Sequence, residues 1–115
     1  MLAKANRVTS AADYRRLVRS GRRSKGSLTL AYARRTRPED PLRVGIIVAK
    51  NVGKAVTRNR VRRRIKAASR PLTPTVHGID VVVRALPAAA AASWDELERE
   101  VQGHVATLAR GGSGT

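Results

Sequence analysis

The chain has 115 residues, enough for one domain and too few for two. Its formal net charge is +16, and 19 of its 24 basic residues are Arg. So much charge on a small domain favours a polyanionic partner, most commonly nucleic acid, with a membrane surface as the competing choice. The absence of Cys excludes disulfides and thiolate metal sites, and no long apolar span or lipidation signal supports a membrane. No apolar signal stretch follows Met1, so a cytoplasmic location is expected.

The first half of the chain predicts one helix and two strands. Apolar residues at helical spacing predict a helix over residues 9–20, which Gly21 ends. Alternation predicts a strand over residues 28–34, and two prolines and two acids predict a turn over residues 37–41. The unbroken apolar run over residues 42–50 is typical of a central strand covered on both faces.

The second half predicts a helix, a strand and a final helix. The helix over residues 56–70 has an apolar stripe, and the strand over residues 79–86 ends before Pro87. Ser93 and Glu96 form a capping box that begins the last helix, over residues 93–110, and Trp94 lies on its buried stripe. The order helix-strand-strand-helix-strand-helix predicts a two-layer α+β domain over residues 1–110, with a flexible tail at 111–115.

Positive charge is concentrated in the centre of the chain. Residues 41–79 contain no acid, and their basic residues are Arg43, Lys50, Lys54, Arg58, Arg60, Arg62, Arg63, Arg64, Lys66 and Arg70. Like charges four residues apart destabilise the free helix, so a bound polyanion is needed to offset them. This pattern favours RNA or DNA binding over a merely solvated helix face.

The segment over residues 50–66, KNVGKAVTRNRVRRRIK, carries the most specific pattern. It resembles the signature of the bacterial ribonuclease P protein subunit. The matching residues are Gly53, Ala55, Val56 and the core Arg58-Asn59-Arg60. Asn51 is a minor departure, since the family often has a second Lys there. Weaker matches run through the first helix and the strands at 42–46 and 79–83, so the resemblance covers almost the whole chain.

The resemblance implies a fold with a left-handed βαβ crossover and an RNA-binding function. In the family, a catalytic RNA with bound Mg²⁺ removes the 5′ leader of precursor tRNA, and the protein positions the substrate. The partners implied are therefore the catalytic RNA and precursor tRNA, with no membrane and no DNA. The implied contacts with the catalytic RNA are Lys50, Lys54, Arg58, Asn59, Arg60, Arg62, Arg63, Arg64 and Lys66. The implied leader-binding cleft is formed by Tyr14, Val18, Tyr32, Arg58 and Asn59.

The cleft departs from the family at Val18, where an aromatic is common. Tyr32 is predicted to lie mid-strand; if its face of the sheet is the one beside the first helix, the rings of Tyr14 and Tyr32 flank one groove. A core position for Tyr14 is the other interpretation of that residue.

Catalysis by the chain itself is not expected. Metal-dependent nucleases need converging carboxylates, and Asp13, Glu39, Asp40 and Asp80 look scattered, with Asp13 facing solvent. We therefore assign no residue to catalysis or to a metal ion, and Mg²⁺ is expected mainly on the RNA. The alternative function is a structural, ribosomal-type RNA-binding protein, which the charge fits equally well.

Overall fold

The computed structural model describes residues 2–111, which contain three α-helices and four β-strands. The helices are α1 (Ala11–Ser20), α2 (Ala55–Ser69) and α3 (Trp94–Ala109). The strands are β1 (Arg22–Lys25), β2 (Thr29–Arg35), β3 (Arg43–Ile47) and β4 (Ile79–Ala85). Short 3-10 helices lie at Lys4–Asn6, Lys50–Val52, Arg70–Leu72 and Pro87–Ala91. Of the predicted tail, residues 112–115 lie outside the described residues.

Side-chain caps mark the starts of α1 and α3. The side chain of Ser10 accepts a hydrogen bond from the backbone N–H of Asp13 at the start of α1. At the start of α3, Ser93 and Glu96 form both hydrogen bonds of the capping box. These side chains satisfy backbone donors that would otherwise lack a partner in the first helical turn.

The four strands form one mixed sheet in the order β1-β2-β4-β3. β2 pairs antiparallel with both β1 and β4, whereas β3 and β4 are parallel. α2 connects β3 to β4, so the βαβ unit that the resemblance implies is present; its left-handed sense stays a prediction. Within residues 2–111, no helix is both long and apolar enough to cross a membrane.

Two predictions about strands were wrong. β1 was missed because its sequence, Arg-Arg-Ser-Lys, has no apolar alternation; it is an edge strand that joins the sheet through backbone pairing with β2. β3 was predicted to be central but lies at the opposite edge. Its apolar sequence reflects cover from other elements: helices pack on both of its faces, and the N–H of Val8 donates to the carbonyl of Val44 at 3.1 Å. The N-terminal segment thus protects that edge.

Alternate residues of the strands point to two differently covered faces. We call the face packed against α2 and α3 the closed face; its strand residues include Ala31, Ala33, Val44, Val81 and Val83, all buried. It packs against apolar residues of α2 and α3, namely Val61, Ile65, Ala68, Leu97, Val101, Val105 and Leu108. Trp94, predicted on the buried stripe of α3, does pack against this core but is only half-buried at its margin.

We call the other face the open face, because α1 is the one α-helix within residues 2–111 that packs on it. Leu17 of α1 is fully buried there against Leu30, Tyr32 and Val82, with Val8 completing a small cluster. Since one helix of ten residues covers this face, its margins stay accessible, and they hold the polar and grooved features described next.

Candidate nucleic-acid interface

The basic helix α2 presents four sides, and its charged residues are not equivalent. Val61 and Ile65 face the core and are buried. On the opposite, outer side, Asn59 and Arg63 are exposed, and Arg70 is exposed just beyond the helix. The outer side is therefore the part of α2 best placed to meet a nucleic-acid backbone directly.

One flank of α2 is tied to the segment that precedes α3. The guanidinium of Arg60 donates to the carbonyl of Ala90 at 3.0 Å, and that of Arg64 donates to the carbonyl of Ala92 at 3.2 Å. These bonds satisfy carbonyls of the Pro87–Ala91 region and hold it against α2. The sequence predicted Arg60 and Arg64 as RNA contacts; in the structure both also have a packing role.

The other flank of α2 borders the edge of β3. Arg62 and Lys66 line a groove of about 270 Å³ there, together with Arg7 and Tyr14. Arg62 also donates to the side-chain oxygen of Asn59 at 3.0 Å. No carboxylate lines this groove, so its basic residues form a surface that suits an anionic chain.

Lys50, Lys54 and Arg58 lie where β3 turns into α2. Lys50 is in the short 3-10 helix, Lys54 is the residue before α2, and both are exposed, whereas Arg58 is half-buried. Gly53 makes the turn possible with φ of 154°, a backbone conformation that favours glycine. The turn places these cations at the N-terminal end of α2, next to its partial positive charge, which further favours an anionic ligand.

A separate groove of about 440 Å³ lies between α1 and β3 on the open face. Its walls are Tyr14, Val18 and Ile47, and its rim carries Arg15 and Arg19, both exposed. The combination of an apolar floor and an arginine rim suits a single-stranded nucleic acid, which offers bases for stacking and phosphates for ion pairing. Sequence reasoning named Tyr14 and Val18 but missed the other three, although Arg15 and Arg19 stand four residues apart on the predicted helix.

Tyr14 is held firmly in this groove. Its hydroxyl accepts a hydrogen bond from the backbone N–H of Ile46 at 3.1 Å. Its ring lies over Gly45, where an added Cβ would be 2.7 Å from the ring carbons. Tyr14 also borders the groove beside α2, so it stands where the two grooves meet.

The other predicted cleft residues are not walls of this groove. Tyr32 does lie on the face beside α1, which is the condition for the two rings to flank one groove, but it is only 5% exposed beneath that helix. The guanidinium of Arg23 lies 6.0 Å from the centroid of its ring. Arg58 and Asn59 lie on α2 and do not line the groove. Tyr14 is therefore the better placed tyrosine for a base.

The prediction of scattered carboxylates, with Asp13 facing solvent, was wrong for two of them. Asp13 and Asp80 meet at Arg43, whose Nη2 donates to Asp80 at 2.5 Å and to Asp13 at 3.4 Å. Hydrogen bonds to Asp80 raise the pKa of Arg43, so the guanidinium stays charged. Among residues 2–111, no three His, Asp or Glu side chains are grouped as a metal site would require.

The fold and the sequence both match known proteins. A family model described as Ribonuclease P matches residues 2–109. The ribonuclease P protein component of Clavibacter michiganensis is 45% identical over 111 residues, which cover 96% of this chain and 98% of that protein.

Solved structures agree. A mutant of the Staphylococcus aureus ribonuclease P protein superposes with a TM-score of 0.83 at 25% identity, covering 91% of this chain and 89% of its own. The Thermotoga maritima protein shares the fold, with a TM-score of 0.74 at 20% identity over 84% of this chain and 92% of its own. With the family model spanning nearly every described residue, this chain belongs to the ribonuclease P protein family.

Proposed function

We propose that this protein is the subunit of ribonuclease P that binds the catalytic RNA and the 5′ leader of precursor tRNA. It assists the RNA-catalysed removal of the leader, which forms the mature 5′ end of the tRNA, and it acts in the cytoplasm with those partners. The outer side of α2 contacts the catalytic RNA, and the groove between α1 and β3 holds the single-stranded leader.

One observation carries this proposal: a small domain has two separate surfaces suited to nucleic acid. Arg63 on the outer side of α2 is exposed, and Lys54 and Arg70 are exposed at the two ends of the helix; these cations suit the phosphates of a folded RNA. The groove beside Tyr14 has an apolar floor and an arginine rim that suit an unpaired strand. A protein that only stabilises folded RNA, the alternative function, needs the first surface and has no use for the second.

The chain supplies positions rather than chemistry in this proposal. The two carboxylates that do converge, Asp13 and Asp80, are both engaged by Arg43 and do not fit a metal ion. We accordingly place the Mg²⁺ of the reaction mainly on the RNA and derive no step through it from these residues. What the protein adds is binding of the leader, which brings the precursor to the catalytic RNA in a fixed orientation.

The test is reconstitution with the catalytic RNA at low magnesium concentration, using precursor and mature tRNA. We expect the protein to raise precursor cleavage and to favour binding of precursor over mature tRNA. The groove variant is Arg15→Ala with Arg19→Ala, and its charge-matched control is Arg99→Ala with Arg110→Ala on the exposed side of α3 and its end.

The two variants separate leader binding from general electrostatics. Removal of the rim cations should reduce the preference for precursor. The slope of log affinity against log salt concentration should become shallower by about 0.7 for each single-strand phosphate that is no longer neutralised. The control should leave the preference unchanged. A wild-type protein that binds precursor and mature tRNA equally and does not affect cleavage would support the structural alternative instead.

A further inference from the structure

We propose that Arg43 is a positioning residue that, through Asp80 and Asp13, holds α1 against the sheet and so sets the seat of Tyr14 in the leader groove. This inference rests on the proposed function for its consequence in substrate binding. Its structural basis is a group of four charged residues that joins α1 to three strands of the open face. We call this group the ion quartet: Asp13, Arg34, Arg43 and Asp80.

The sheet register places three of these residues in one row. Asp80 pairs with Arg34 of β2 on one side and with Arg43 of β3 on the other. Asp80 is fully buried, and Arg43 binds it through two hydrogen bonds, Nε to Oδ1 at 2.9 Å and Nη2 to Oδ2 at 2.5 Å. A two-point guanidinium–carboxylate pair has a fixed orientation, so the pairing of β3 with β4 also fixes the direction of the second N–H of Arg43 Nη2.

That remaining donor capacity reaches α1. Nη2 of Arg43 lies 3.4 Å from Oδ2 of Asp13, and Nη2 of Arg34 lies 3.9 Å from Oδ1 of Asp13. Arg34 also lies 3.8 Å from Asp80, so the quartet holds two positive and two negative charges. Because Asp13 is only 20% exposed, solvent screens these attractions less than it would on an open surface.

Asp13 directly precedes Tyr14 in the first turns of α1. The quartet therefore fixes the helix one residue away from the hydrogen bond between the Tyr14 hydroxyl and the Ile46 amide. Elsewhere α1 is held by Leu17 and its apolar neighbours, which are contacts that tolerate sliding more than directional bonds do. The ion quartet is thus a second directional contact between α1 and the sheet, beside the Tyr14–Ile46 hydrogen bond, and in this proposal it sets where the Tyr14 ring stands relative to β3.

The experiment uses Asp13→Asn and Asp13→Ala, which leave the buried pair of Arg43 and Asp80 intact so that the protein still folds. The matched control is Asp40→Asn, which weakens a surface pair with Arg37 at the same end of the sheet without contacting α1. Two quantities are measured: the ratio of holoenzyme affinities for precursor and mature tRNA, and hydrogen exchange at the Ile46 amide.

We expect both Asp13 variants to lower the precursor-to-mature ratio, Asp13→Ala by about three- to tenfold, with unchanged affinity for mature tRNA and for the catalytic RNA. Exchange at Ile46 should accelerate while amides of β4 stay protected, a pattern that general destabilisation does not produce. Asp40→Asn should match the wild type in both measurements.

Three outcomes would overturn the inference. They are an unchanged ratio in both Asp13 variants, an equal fall of the ratio in Asp40→Asn, and unchanged exchange at Ile46. A wild-type holoenzyme with no preference for precursor would instead refute the proposed function, and the exchange at Ile46 would then still decide whether the quartet seats Tyr14.

Discussion

The two faces of the sheet use the same strands and differ in how they are covered. Along β4, Val81 and Val83 point to the closed face and are buried beneath α2 and α3, whereas Asp80 and Arg84 point to the open face. The closed face is an apolar core with many interlocking neighbours. The open face is a thin layer under one helix, with ions at one end and a groove along its side. Because successive residues of a strand point to opposite faces, the stabilising core and the candidate binding groove lie on opposite sides of the same sheet.

Even the polar groups of the two faces differ in kind. On the closed face, His104 of α3 is 5% exposed and lies 2.7 Å from Ser24 and 2.9 Å from Thr29, whose hydroxyl in turn donates to Glu100. A neutral imidazole suits this series of hydrogen bonds, with Nε2–H donating to Thr29 and Nδ1 accepting from Ser24. On the open face the polar group is the ion quartet, which reaches the helix of the groove. The first network ties α3 to the β1–β2 hairpin, and the second positions α1.

The largest expected effect tests whether stability resides on the closed face. Leu97→Ala removes a fully buried side chain of α3 and should lower the free energy of unfolding by about 2–5 kcal/mol. Val18→Ala, in the half-buried wall of the groove, should lower it by a clearly smaller amount. Urea unfolding of both variants measures the difference. Equal losses would show that the open face contributes as much to stability as the core.

The next effect concerns two glycines with opposite surroundings. In Gly45→Ala the new Cβ would meet the ring of Tyr14 at 2.7 Å, so we expect a loss of about 1–3 kcal/mol of stability and a displaced tyrosine. In Gly103→Ala the Cβ meets nothing within 4 Å on α3, and the better helix propensity should add about 0.5–1 kcal/mol. Thermal unfolding checks both signs. A harmless Gly45→Ala would mean that Tyr14 is not tightly seated.

A third effect separates the sides of α2. Arg63→Ala with Arg70→Ala should weaken binding to the catalytic RNA and leave the stability of the protein unchanged. The slope of log affinity against log salt concentration should become shallower by about 0.9 for each phosphate that is no longer neutralised. Arg60→Ala with Arg64→Ala should lower stability by about 0.5–1.5 kcal/mol for each hydrogen bond to the segment before α3. Filter binding over a salt series and urea unfolding distinguish the two pairs. Equal stability losses in both pairs would contradict the division of α2 into sides.

The smallest effect is the pH dependence of the closed face. Burial lowers the pKa of His104, and the carboxylate of Glu100 offsets this only in part. The unfolded chain, with a histidine pKa near 6.5, then binds the proton more readily than the folded protein does. Stability should therefore be full above pH 6.5 and fall as the pH drops below it. Urea unfolding at pH 7.5 and 5.5 measures this fall, and it should shrink in His104→Gln; an equal fall in both proteins would assign the dependence to other groups.

Much of the local structure could be predicted because it depends on neighbours in the chain. The capping box at Ser93 and Glu96 and the stripe of Val61 and Ile65 are set by helical geometry, and both are confirmed. β1 could not be predicted in this way, since its four polar residues are held by pairing with β2 and by the contact of Ser24 with His104 of α3, both set by tertiary structure. The edge position of β3 was hidden for a related reason: its apolar run looks the same whether a strand or the N-terminal segment covers its free side.

The candidate site divides along the same line. The sequence by itself determined that a basic, acid-free helix follows a glycine turn, and that the segment over residues 50–66 resembles one family. Only the tertiary structure decided which of those cations also have a packing role, because Arg60 and Arg64 donate to backbone carbonyls that are distant in sequence. It also decided that Asp13 and Asp80 meet at Arg43, since strand pairing joins Arg43 to Asp80, packing of α1 on the sheet brings Asp13 to them, and no spacing along the chain encodes either contact.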